Sequence, residues 1–147
     1  MLKTTKQSEI KRDWHLFDAK DMVLGRLSSF VAKKALEGEE IKIINVEQAV
    51  FTGDPRVMAK KWKNRDDRGE PFHGPFMKKT PIGLVRRVLR GMLPPNQARG
   101  REALKRIKCF IGNKENKKGI ELKKMHIENA KTLKYMTVQE LCKAIKK

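Results

Sequence analysis

Negative charge is what this sequence lacks where its absence matters most. Between Lys78 and Lys108 the only acidic residue is Glu102, set against 10 arginines and lysines. Over all 147 residues, 35 Lys and Arg face 17 Asp and Glu, a formal charge of +18. The excess lies entirely after Pro55: residues 1–55 hold 9 charges of each sign, whereas 56–77 carry +3, 78–108 carry +9 and 109–147 carry +6. Self-repulsion on this scale opposes a compact state unless a polyanion brings counter-charge. A generically basic, soluble surface is the alternative; clustering of the excess favours nucleic acid.

Other absences narrow the chemistry. There are two cysteines, Cys109 and Cys142, far apart and without a C-x-x-C pair. That argues against a disulfide framework or zinc ribbon and predicts buried or idle thiols in a reducing compartment. Aromatic residues make up 6% and no RNP-like run occurs, so sequence-specific reading of splayed bases is disfavoured. Backbone and shape recognition of folded RNA remains. No apolar run is long enough to span a bilayer, and the start MLKTTKQSEIKRDW lacks an apolar signal core. Glu9 and Asp13 argue against a transit peptide, so a cytoplasmic protein with no membrane partner is expected.

Phosphate-loop and dinucleotide glycine motifs, H-E-x-x-H and G-x-S-x-G are all missing. His15, His73 and His126 are scattered without ligand spacing. No metal, cofactor, small-molecule substrate or catalytic residue is therefore expected. Asp18 ends a strand, where α/β active sites form, but without a partner motif it reads as a helix or loop cap.

What is present fits one domain with a real core, hydrophobic residues making up 39%. WHLFDA (14–19) reads as a strand. LGRLSSFVAKKALEGEE then spaces Leu24, Leu27, Val31 and Ala35 helically, with Gly38 as its stop. IKIINV (41–46) has the near-continuous apolar pattern of a strand covered on both faces. Strand, helix, strand predicts a βαβ unit and an α/β fold with a mostly parallel sheet. AVFTG (49–53) reads as a short strand, and Asp54 with Pro55 opens a helix through RVMAKKWKNR. Residues 68–80 form an extended arm rich in proline and glycine.

Thr80 and Pro81 open the next helix. At 100° per residue, Ile82, Leu84, Val85, Val88, Leu89, Met92 and Leu93 share one half of its wheel, and Arg86, Arg87 and Arg90 the other. Pro94 and Pro95 end it. A second helix carries Arg101 and Lys105 at i, i+4, with Ala103, Leu104 and Ile107 turned inward. IKCFIG (107–112) reads as a final strand and KENKKG (114–119) as a solvated loop. Thr137 and Glu140 have capping-box spacing, Met136 can staple against Leu141, and Leu141 with Ile145 continues an apolar face. The ends are expected as a flexible N-terminus over 1–12 and a basic tail with a terminal helix over 113–147.

Arginine presents a planar fork suited to phosphate, and Gly83 and Gly91 let the backbone approach closely. A solvated helix face normally mixes in glutamates; this one has none, so Arg86, Arg87 and Arg90 are candidate phosphate contacts. Lys60, Lys61, Lys63, Arg65 and Arg68 are further candidates, with Asp66 and Asp67 as possible local partners, while Trp62 reads as core. Lys78, Lys79, Arg99, Arg101, Lys105 and Arg106 complete the set from the acid-poor stretch.

The run RVLRGMLPPNQARGREALKRIKCFIG closely resembles the R-x-V-R-G-M-L-P…G-R…L-K-V-Y-x-G segment of the universal ribosomal large-subunit protein L-thirteen family. LGRLSSFVAKKALEGEE and IKIINVEQAVFTG resemble its L-G-R-L-A-S…V-A…L and V-x-V-V-N-A-E-K-A-V-x-T-G motifs, collinearly from about Asp18 to Gly112. KYMTVQEL (134–141) is similar to the end of archaeal and eukaryotic-type members. The resemblance implies a three-layer α/β/α domain, no catalysis, and binding of large-subunit rRNA early in assembly. Its implied partners are that rRNA and neighbouring large-subunit proteins, without homo-oligomerisation. Carried onto matching positions, its motif is Arg87, Arg90, Gly91, Met92, Leu93, Pro94, Gly100 and Arg101, with Arg26 and Gly53 earlier; Met92 and Leu93 read as packing. The chain departs from the pattern at Phe72-His73-Gly74-Pro75, where archaeal-type relatives carry a basic pair before Gly-Pro. It departs again at Cys109-Phe110, which stands for Val-Tyr. Two further readings compete: a nucleotide-dependent enzyme on the same scaffold, and a free regulatory mRNA binder.

Overall fold

The computed structural model describes residues 14–70, 72–113, 119–130 and 132–146. The start expected to be flexible and most of KENKKG fall outside them. Strand β1 (Trp14–Asp18), helix α1 (Leu24–Leu36) and strand β2 (Glu40–Ile44) form the βαβ unit, β1 and β2 pairing in parallel from Trp14↔Glu40 to Asp18↔Ile44. The chain then runs through β3 (Val50–Thr52), α2 (Pro55–Asp66), α3 (Pro81–Met92) and α4 (Ala98–Arg106). It returns as β4 (Ile107–Cys109), parallel to β2, giving the strand order β1-β2-β4. Parallel neighbours need long crossovers, which α1 and the stretch between β2 and β4 supply. The result is the expected small α/β domain around a short parallel sheet.

β2 is covered less evenly than its apolar run predicts. Ile41 and Ile43 are buried on one face, but on the other only Ile44 is, and Lys42 is half-buried. The strand also stops two residues early. Asn45 takes a left-handed conformation (φ 53°) and a single 3₁₀ turn, Val46–Gln48, leads the chain off the sheet. β3 consequently pairs elsewhere, antiparallel to β5 (Tyr135–Thr137) with Phe51 opposite Met136. IKCFIG is therefore not the final strand. The YMT segment is three residues long, too short to announce itself by alternation, and its partner lies about 85 residues away in sequence.

The helices form where caps and apolar spacing agree. α1 buries Leu24, Leu27, Val31, Ala32 and Ala35, and Gly38 (φ 101°) ends it. Asp54 accepts the Arg56 N–H at 2.9 Å to cap α2, whose Trp62 is buried 5.9 Å from the Phe51 ring. On α3, Thr80 Oγ1 accepts the Gly83 N–H at 3.2 Å, and Leu84, Val85 and Leu89 are buried. Each such leucine contributes about 1.5–3 kcal/mol by leaving water. Met92, assigned to the packed half, is 39% exposed because the helix ends there, and Leu93 takes the buried place. The capping box forms in both directions at α5 (Val138–Lys146): Glu140 N–H to Thr137 Oγ1 at 3.2 Å, and Thr137 N–H to Glu140 Oε2 at 3.0 Å. Leu141 and Ile145 face the core.

Asp18 is a loop cap. Its Oδ1 accepts from the Lys20 N–H and from Asn45 Nδ2, both at 2.9 Å. Cys109 and Cys142 are free and buried. Burial pushes the Cys109 thiol up to about 11, against a smaller opposing pull from the Arg86 charge, so it stays protonated at neutral pH.

Candidate nucleic-acid interface

The arm returns to the fold along the first turn of α3. Gly83 permits it: a Cβ built there would stand 2.6 Å from Lys78 Cβ and 3.2 Å from the Lys78 carbonyl oxygen. The close approach at Gly83 is thus made by the chain's own arm, whereas none of the described residues outside the helix's own backbone comes within 4 Å of a Cβ at Gly91. Between arm and helix lies a cleft of about 240 Å³ lined by Phe76, Lys78, Gly83, Arg86, Arg87, Arg90 and Leu104. All three arginines of the polar half-wheel meet there with one lysine of the arm, and among the described residues no carboxylate lines it. Arg86 and Arg90 are exposed and Arg87 is half-buried. The apolar half of α3 is fixed in the core, so the arginines project from a rigid element.

The remaining basic candidates divide between solvent and the fold. Lys60, Lys61, Lys63 and Arg68 are exposed along and just past α2, and Arg26 is exposed in the first turn of α1. Arg65 lies over the Trp62 ring at 5.3 Å. Lys79 ties the arm to α2 through Asp66 Oδ2 at 2.7 Å, so that aspartate pairs across to the arm and not with the neighbouring α2 cations for which it was considered. On α4, Arg101 and Lys105 are exposed and Arg99 Nε donates to Gln97 Oε1 at 2.7 Å. Arg106 is turned inward: Nη1 donates to the Ala35 carbonyl at 3.3 Å, and Nη2 is 3.6 Å from Glu102 Oε2. A guanidinium at the last turn of α1 suits the partial negative charge there, a structural use of that cation.

Two features escape the sequence. Lys108 and Lys42, adjacent across β4 and β2, lie over the Trp14 ring at 4.6 and 5.1 Å. They sit beside a cleft of about 340 Å³ that Lys105 and Arg106 share with Glu40 and Glu102. The period-2 alternation of Ile41-Lys42-Ile43 and Ile107-Lys108-Cys109 places both lysines on one face, but only the register brings them together. The second is Phe76, whose ring lines the arginine cleft. A larger hollow of about 450 Å³ at the base of the arm is lined by Asp66, Asp67 and Glu70 and would repel phosphate. Among the described residues no three His, Cys, Asp or Glu side chains are grouped to hold a metal, and no helix is long and apolar enough to cross a membrane.

Comparison with known sequences agrees with the motifs. The sequence model of the family described as "Ribosomal protein L13" matches residues 12–116. Large ribosomal subunit protein uL13 of Methanopyrus kandleri is 47% identical over 68% of this chain and 63% of its own length. The chain thus spans under two thirds of that relative. The uL13 proteins of Archaeoglobus fulgidus and Haloarcula marismortui are 41% and 35% identical, each over 88% of this chain and over 85% and 89% of their own lengths.

Proposed function

Because the chain belongs to the ribosomal protein L13 family, we propose that it is a structural constituent of the large ribosomal subunit, not an enzyme, and holds large-subunit rRNA in place during assembly. One observation supports the rRNA contact: Lys78, Arg86, Arg87 and Arg90 converge on a cleft that no carboxylate lines among the described residues. Guanidinium forks bind phosphate oxygens in pairs, and each contact displaces condensed counterions from the RNA. Because α3 is seated by Leu84, Val85 and Leu89, no backbone has to be ordered when its arginines bind, and the cost is confined to their side chains.

Around this centre, Arg26, Lys60, Lys61, Lys63, Arg65, Arg68, Arg99, Arg101 and Lys105 supply outer phosphate contacts. Lys79 and Arg106 play a smaller part, since each already has a partner in the fold. In this reading the chain acts in translation, on the cytoplasmic ribosome, against rRNA and neighbouring large-subunit proteins. The test is sedimentation of a tagged copy through a sucrose gradient. Co-migration with large subunits is expected; a tagged protein that remains at the top would sink the proposal.

A further inference from the structure

We propose that Phe76 stacks on an unpaired nucleobase of the RNA whose phosphates the same cleft holds, an inference that rests on the phosphate-binding reading above. Phe76 is 72% exposed and stands on the border between the acidic hollow at the base of the arm and the cleft it lines with Lys78, Arg86, Arg87 and Arg90, the side on which phosphate is attracted. A paired helix presents phosphates but keeps its base faces stacked. A bulged or looped nucleotide presents a phosphate and a bare π-face together. A cleft that combines several cations with one ring standing in water matches the second kind of RNA.

The backbone that carries the ring is anchored on both sides. Two residues on, Lys78 is packed against Gly83; three on, Lys79 is bonded to Asp66 at 2.7 Å; four on, Thr80 caps α3. On the other side, the arm is closed by the close approach of Gly69 and Gly74, with the Gly74 N–H donating to the Glu70 carbonyl at 2.7 Å. Stacking tolerates any base, so one aromatic contact is compatible with a chain that has no base-reading module. Phe72, 89% exposed on the same arm, does not line the cleft and serves as the internal control.

The experiment uses the full chain with transcribed large-subunit rRNA, read by affinity at several salt concentrations and by 2′-hydroxyl acylation of the bound RNA. Phe76→Ala is expected to weaken binding about ten-fold with an unchanged salt slope, because a stack is lost and no cation is. It should also raise the acylation of one or two unpaired nucleotides several-fold. Phe76→Trp should restore both, and Phe72→Ala should change neither. Wild-type affinity or wild-type acylation in Phe76→Ala would overturn the inference, as would an equal loss in Phe72→Ala. A flattened salt slope in Phe76→Ala would overturn it too, since the arm would then have moved and taken Lys78 with it. A wild-type chain that leaves no footprint sinks the phosphate reading itself; an intact footprint indifferent to Phe76 sinks only the stack.

Discussion

Replacing Arg86 and Arg90 together by glutamate is expected to leave the protein folded while lowering its affinity for transcribed large-subunit rRNA by about 100-fold or more. Both side chains are exposed, and among the described residues neither forms an ion pair or side-chain hydrogen bond with the fold. The folded state should lose only about 1 kcal/mol, because Arg90 lies in the last turn of α3 and its reversal opposes the helix dipole. The RNA-bound state suffers far more. Two phosphate contacts disappear and two anions are set against phosphates in a cleft where Lys78 and Arg87 remain. Circular dichroism and filter binding on the same preparation separate the two effects. A double variant that fails to fold would show that the arginine half of α3 belongs to the core.

The second large effect is on the fold. Gly100→Ala is expected to cost about 3 kcal/mol, close to 10 °C in melting temperature for a domain of this size. A Cβ at Gly100 would drive into the Pro94 carbonyl oxygen, with the Pro94 carbonyl carbon at 2.8 Å and Pro94 Cγ at 3.0 Å. These atoms belong to the Pro94-Pro95 turn that joins α3 to α4, and backbone cannot swing aside as a flexible side chain would. Gly100 is buried, so the helix must lift from the turn instead. Gly91→Ala supplies the contrast: among the described residues its Cβ meets nothing within 4 Å, and an exposed helical alanine should stabilise by about 0.5–1 kcal/mol. Thermal melts of the two variants should therefore move in opposite directions.

Local rules made much of this molecule legible in the sequence. The caps at Asp54, Thr80 and Thr137, the stop at Gly38 and the division of α3 into two halves depend on residues within a turn or two, and each stands where spacing places it. Long-range partners were not legible. β5 is three residues long, and Lys42 meets Lys108 only because β2 and β4 pair in one register. The same limit applied to the cleft. The arginines of α3 announced themselves by the lack of acidic neighbours, but Lys78 and Phe76 join them only because Gly83 lets the arm lie close. Arg106 shows the converse: a cation in a basic stretch reads as available, and only the fold reveals that it closes α1.

The most direct test of the central claim, that phosphates are the counter-charge this chain lacks, is the salt dependence of its binding to transcribed large-subunit rRNA. Six phosphate contacts imply a log–log slope of roughly −4 to −5 for the wild-type chain, flattened by about 2 when Arg86 and Arg90 are reversed. A wild-type slope near zero, or the same slope in both proteins, would contradict the account.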